Sequence, residues 1–191
     1  MLLPLHIFEP RYHALTRHCL ENKREFGVVL DRRSEIAGVG CTAEIVKIIE
    51  THPDGRMDIL TQGRARFAIL ELIEELAYPE ARVEYHEDVP DPNLPPDDIE
   101  LRKIVARCHA LLYGRAAELP AIPEGGYLSY QIVAELPLDL ELKQALLGLC
   151  SESERRRLLH KLLPRWAHHL EMAQIGRSKA AGNGHGRLPE N

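Results

Sequence analysis

Clustered cysteine is missing from this chain. Its four cysteines, Cys19, Cys41, Cys108 and Cys150, are scattered, with no C-x-x-C pair among them. Disulfide scaffolds and structural zinc sites both need closely or rhythmically spaced thiols, so neither is expected. The four read as reduced thiols packed as small hydrophobes. Long apolar runs are missing too: no stretch approaches the ~20 residues that span a bilayer, so no membrane partner is expected. The start, Met1-Leu2-Leu3-Pro4, has no basic segment, and Pro4, His6 and Glu9 interrupt any signal-like core. The chain therefore reads as cytoplasmic. Basic excess and aromatics are also scarce. Lys and Arg number 24 against 29 acids, a net charge of −5, and aromatic residues make up 5%. That balance disfavours a general nucleic-acid binder.

Catalytic motifs are equally absent. There is no G-x-S-x-G elbow, and Ser34, Ser129, Ser151, Ser153 and Ser178 fall in turn, cap or helix contexts. No G-x-x-x-x-G-K-[ST] loop is present to cradle nucleotide phosphates. Ten histidines raise the question of a metal, but none of their helical spacings supplies the usual ligand pair. His13 and His18 are five apart, His160 and His168 eight apart, and His168-His169 are adjacent. Two imidazoles meet on one helix face at i, i+4, so these histidines read as surface groups. No metal, cofactor or catalytic residue is expected.

What the chain does contain starts near its N-terminus. Leu3, Leu5 and Ile7 alternate as in a strand, and Glu9-Pro10 then opens a helix over residues 10–22. Proline suits the first helical turn, where its missing amide has no intrahelical partner. Phe26 to Leu30 reads as a second strand. Asp31 to Glu35 is a polar turn, and Gly38 and Gly40 suggest a close approach or unusual torsions. Residues 43–50 form a β-branched run expected to be well buried. His52-Pro53-Asp54-Gly55 is a turn leading to a returning strand at 57–61. Gly63 breaks the pattern, residues 66–73 begin another strand, and 81–85 alternate again.

Residues 86–96 hold four prolines and read as an extended linker. Beyond it the apolar period changes to 3.6. Asp97 with Glu100 suggests a capping box, and Leu101, Ile104, Val105, Cys108, Leu111 and Leu112 share a helical face. A short helix ends before Pro137, Asp139 caps another, and Ser151 with Glu154 opens the last. Pro164 is expected to kink that helix, the alternative being a stop near Leu163 and a restart. Arg155-Arg156-Arg157 reads as a solvated basic face, with contact to an anion or acidic partner as the alternative, and the Gly-rich segment from Gly176 as a mobile tail.

Leu3-Pro4-Leu5-His6-Ile7-Phe8-Glu9-Pro10-Arg11-Tyr12, followed by Arg24 to Leu30, closely resembles the N-terminal substrate-binding domain of Lon-type proteases. The likeness extends to the stand-alone bacterial proteins made of that domain. Gly38 to Ile45, Pro53-Asp54-Gly55-Arg56 and Gln62-Gly63-Arg64-Ala65-Arg66-Phe67 resemble further segments of the family, so the match runs from residue 2 to about residue 172. The resemblance implies a PUA-like pseudobarrel and no catalytic residues. Its signature positions are Pro4, Phe8, Glu9, Pro10, Arg11, Tyr12, Gly27, Gly63, Arg66 and Phe67, for which a structural role is expected. Arg11 could pair with an acid across the barrel, and Arg64 and Arg66 could face a groove. Family members usually carry an earlier strand before the stretch that starts here at Leu2. Either the sequence starts at an internal methionine, downstream of that strand, or the first strand leaves an edge open to strand addition.

The expected fold is α+β: a PUA-like β pseudobarrel with an inserted helix, followed by an α-helical bundle domain. The expected divisions are a barrel over 1–86, a linker over 87–96, a helical domain over 97–175 and a disordered tail over 176–191. The expected function is non-enzymatic: a protein- or peptide-binding module that takes unfolded or tagged polypeptide, as an adaptor or holdase, with a protease as a candidate partner. The alternative is a PUA-like RNA-binding module.

Overall fold

A computed structural model describes residues 2–32, 35–73, 78–123 and 125–182. Parts of the turn expected at 31–35 and of the tail expected after residue 176 lie outside the described residues. The chain divides into two compact units.

The first unit comprises Met1–Val89 and Asp139–Cys150. Its elements are β1 (Leu2–Ile7), α1 (Pro10–Asn22), β2 (Phe26–Val28), β3 (Val39–Thr51), β4 (Met57–Ile73) and β5 (Glu80–His86). All strand pairs are antiparallel, in the order β1-β4-β3-β2, with β5 also on β4. The helix begins with Pro10 in its first turn and Glu9 as N-cap, as expected. It ends at Lys23, which takes a left-handed conformation (φ 52°) and donates its amide to the Cys19 carbonyl. The hairpin turn also forms as read: Gly55 sits at φ 90°, and the His52 amide donates to the Arg56 carbonyl at 2.8 Å.

Two strand readings are corrected. The break at Gly63 and the separate strand at 66–73 do not occur, because β4 runs unbroken through Gly63. It pairs with β1 over its first part and with β5 over its second. The irregularity at this place is a shift of register between Cys41 and Ala43 opposite Arg66 and Gly63. A bulge of this kind bends a strand without ending it. The β-branched run of β3 is not well buried either, since Val46, Ile48 and Ile49 are exposed.

Gly40 shows why glycine stands there. A Cβ at Gly40 would lie 2.5 Å from the Phe67 ring and 2.7 Å from the Val28 carbonyl oxygen, and one at Gly27 would touch the same ring at 3.0 Å. Phe67, fully enclosed, thus lies across the backbone of its neighbours. Helix α4 (Leu140–Gly148) belongs to this unit and not with the other helices expected over 97–175. Polar ties hold it there: Gln144 Nε2 donates to the Val39 carbonyl at 2.9 Å, and Arg32 pairs with Glu141 at 2.7 Å.

The second unit comprises Pro90–Leu138 and Ser151–Asn191. It contains α2 (Ile99–Tyr113), α3 (Leu128–Glu135) and α5 (Glu152–Gly182). Leu101, Val105 and Cys108 of α2, Leu128 and Ile132 of α3, and Leu159, Leu163 and Ala167 of α5 form its core. Cys108 is fully buried in this core, and burial pushes its thiol up to about 11. The α2 N-cap is Asp98, one residue later than expected; its carboxylate accepts from the Leu101 amide at 3.0 Å. Pro95 and Pro96, expected in the extended linker, are held here by Arg156, which donates to both carbonyls. Helix α5 continues past Gly176, where a tail was expected, as far as Gly182.

The basic run is corrected as well. Arg155 and Arg156 are buried, not solvated. Both pair with the buried Glu152, Arg156 at 2.7 Å, and the Arg155 guanidinium stacks on the Tyr127 and Tyr130 rings. Ser129 completes the cluster by donating to Glu152 from its amide and its hydroxyl.

Candidate polypeptide-binding surface

Among the described residues, β1 and β5 each pair with β4 alone and so are edge strands, which for the first strand is the expected open edge, and β3 also has a partly uncovered outer edge. Strand β2 covers only Cys41–Ala43 of it. Among the described residues, no strand pairs with that edge from Glu44 to Thr51. Unpaired strand amides and carbonyls are a template for another chain. Pairing with β4 on the inner side sets the pattern of this segment. The register shifts between Ile45 and Lys47, and again between Ile48 and Glu50, which leaves Val46 and Ile49 as extra residues on β3. A third shift, between Ile69 and Glu71, leaves Leu70 extra on β4 opposite β5.

The residues left over at these three shifts are apolar and open to solvent: Val46 is 43% exposed, Ile49 54% and Leu70 60%. In a regular ladder, alternation sends every second side chain to the buried face. A bulge breaks that alternation, so consecutive apolar residues need not be buried. Ile48 is also exposed, though its register partner Ile59 is fully buried. An apolar strip therefore runs along the free edge of β3, bordered by charge: Arg64 pairs with Glu44, and Arg56 with Asp54.

The signature residues fall in different settings. Pro4 lies on β1 opposite Leu60. Phe8 is exposed and its ring stacks on His6, 6.0 Å between centroids. Glu9 and Pro10 start α1, and Arg11 pairs with Glu9 two residues away at 2.9 Å. Among the described residues, its acidic partner is Glu9 and not an acid across the sheet. The Arg11 guanidinium also lies over the Tyr12 ring at 4.7 Å. Gly27 lies against Phe67, and Gly63 sits opposite Ala43. Arg66 faces no groove. It is buried and donates to Asp88 and to the Leu147 and Leu149 carbonyls.

One cluster escaped sequence reasoning. His6, His52 and Asp58 converge at the hairpin end of the sheet, with His6 Nδ1 2.6 Å and His52 Nε2 2.8 Å from the Asp58 carboxylate. The two histidine contacts hold the Asp58 carboxyl below the usual carboxylate range. No sequence signal pointed to it, because His6 comes opposite Asp58 only through the register of the folded sheet.

The observed class is thus an α+β domain: an antiparallel sheet with one helix, followed by helices. Residues 1–165 match the family of the ATP-dependent protease La (LON) substrate-binding domain, and the chain belongs to that family. The Lon protease of Anaeromyxobacter dehalogenans is 30% identical over 90% of this chain, and Lon protease 2 of Myxococcus xanthus 29% over 90%. The chain spans 22% of the length of each. The match is therefore to the substrate-binding domain alone, and it brings with it no ATPase or protease domain. A crystal structure of a Lon N-terminal domain protein from Xanthomonas campestris superposes with a TM-score of 0.65 at 23% identity, covering 85% of this chain and 89% of that one. The N-terminal domain of a Mycobacterium avium complex Lon protease gives 0.54 at 16% identity, over 86% and 90%. These likenesses establish the PUA-like fold.

Proposed function

We propose that this chain is a non-catalytic receptor for unfolded or extended polypeptide, acting as an adaptor or holdase. Its binding surface is the free edge of β3. The observation that carries this reading is the coincidence of an unpaired strand edge with the exposed Val46, Ile48 and Ile49. An extended peptide would gain main-chain hydrogen bonds along the edge and bury apolar side chains against these three. Membership of a substrate-binding family supports the same reading. A protease is the natural candidate to receive what such an adaptor binds.

The test is fluorescence anisotropy with a labelled, permanently unfolded polypeptide, at low and at high salt. A single-stranded RNA of similar length serves as competitor. The expected result is polypeptide binding that persists at high salt and is not displaced by RNA. Binding of RNA alone, weakening steeply with salt as phosphate contacts do, would overturn the reading.

A further inference from the structure

We propose that His6, His52 and Asp58 form a binding site for a late first-row divalent cation, with Zn2+ as the reference ion. The three donors come from three segments that the fold already holds together. His6 on β1 is the direct register partner of Asp58 on β4. His52 follows β3, and its position is set by the turn in which its amide donates to the Arg56 carbonyl and the Gly55 amide donates back to it. The three ligand atoms all lie within 4.8 Å of one another. Two imidazole nitrogens and one carboxylate suit Zn2+, Co2+ or Ni2+ better than Mg2+ or Ca2+, which prefer oxygen alone.

The surroundings fit such an ion. Side-chain exposures of 45% for His6, 32% for Asp58 and 24% for His52 leave an entry path and room for water in a fourth position. The other ring nitrogen of His52, Nδ1, faces the Glu50 carboxylate at 3.8 Å. At that distance the carboxylate makes no hydrogen bond, but it adds negative charge beside the site, which favours a bound cation. Phe8 stacked on the His6 ring restrains the second imidazole. The ion would replace the two protons that now bridge Asp58 to the histidines, and would tie β1 to the tip of the β3–β4 hairpin.

The experiment uses the full chain without added histidines, stripped of metal. Calorimetric titration with Zn2+ and visible spectroscopy with Co2+ give stoichiometry and coordination. The expected result is one ion per chain, with a four-coordinate Co2+ spectrum. Binding should weaken at least about a hundredfold in His52→Ala and Asp58→Asn and roughly tenfold in Glu50→Gln. A His13→Ala control should bind as the wild type does. Should a variant fail to fold, the imidazole NMR signals of the wild type decide: Zn2+ must shift those of His6 and His52 and spare His13 and His18. No stoichiometric binding, or binding that survives in folded His52→Ala and Asp58→Asn, overturns the proposal.

Discussion

Arg66 and Asp88 form a buried ion pair, 2.5 Å between guanidinium and carboxylate, at the point where β4 meets the end of α4. The same guanidinium donates to the Leu147 carbonyl at 3.0 Å and the Leu149 carbonyl at 2.7 Å, two groups at a helix C-terminus. Just beyond, the Val89 amide donates to the Cys150 carbonyl at 2.8 Å. One side chain thus satisfies carbonyls that a helix end leaves without intrahelical partners. It is why a helix distant in sequence belongs to the β unit.

Replacing Arg66 with alanine is therefore expected to destabilise the first unit by about 3–5 kcal/mol, because the buried Asp88 carboxylate loses its guanidinium and the Leu147 and Leu149 carbonyls lose their donor. Lysine should rescue it only in part, since an ammonium cannot reproduce the fork that reaches three acceptors. Amide exchange of β4 checks both. Wild-type protection in Arg66→Ala would contradict the account.

Gly40→Ala places a methyl group against the Phe67 ring and the Val28 backbone. The expected cost is about 1–3 kcal/mol, the usual range for overpacking a filled core. Gly38→Ala, with open space around it, serves as the neutral comparison. Thermal denaturation followed by far-UV circular dichroism separates the two.

In the second unit, Glu152→Gln removes the buried negative charge that both Arg155 and Arg156 contact. A loss of about 3–5 kcal/mol is expected. The single tryptophan, Trp166, lies on α5 and reports this unit's unfolding by fluorescence.

Asp98 links stability to pH. Burial alone would raise its carboxyl, but the Leu101 amide and His160 outweigh that and hold it below its ordinary value. A carboxyl depressed in the folded state stabilises above its unfolded value and loses that contribution as the pH falls through the folded one. Asp98→Asn keeps the cap and loses the charge. The variant should be about 1 kcal/mol less stable than wild type at pH 7. The gap should close as the pH drops below about 4. Urea titrations followed by Trp166 across that window give the answer.

Local chemistry was legible in the sequence where one residue decides one backbone state. Pro10 opens α1, Gly55 turns the hairpin and Asp139 caps α4, whose Leu142 amide it accepts at 2.8 Å. Patterns that average over several residues were less so. The β-branched run at 43–50 suggested burial, yet two register shifts put Val46 and Ile49 outside. The composition change at Gly63 suggested a strand end, yet pairing on both sides carries β4 through it. Arg155 and Arg156 looked like a solvated run. Glu152, three and four residues before them, was the readable sign of intrahelical pairing. The His6–Asp58–His52 cluster depends on residues 52 apart in the chain, which only register brings together.

The most direct test of the proposed function is amide hydrogen exchange with and without a saturating unfolded polypeptide. Protection should rise in β3 between Glu44 and Thr51. It should stay unchanged in a Val46→Ser/Ile49→Ser variant, whose exposed substitutions are expected to leave stability within about 0.5 kcal/mol per site. Binding with no gain of protection in that segment, or equal protection in the variant, would contradict the account.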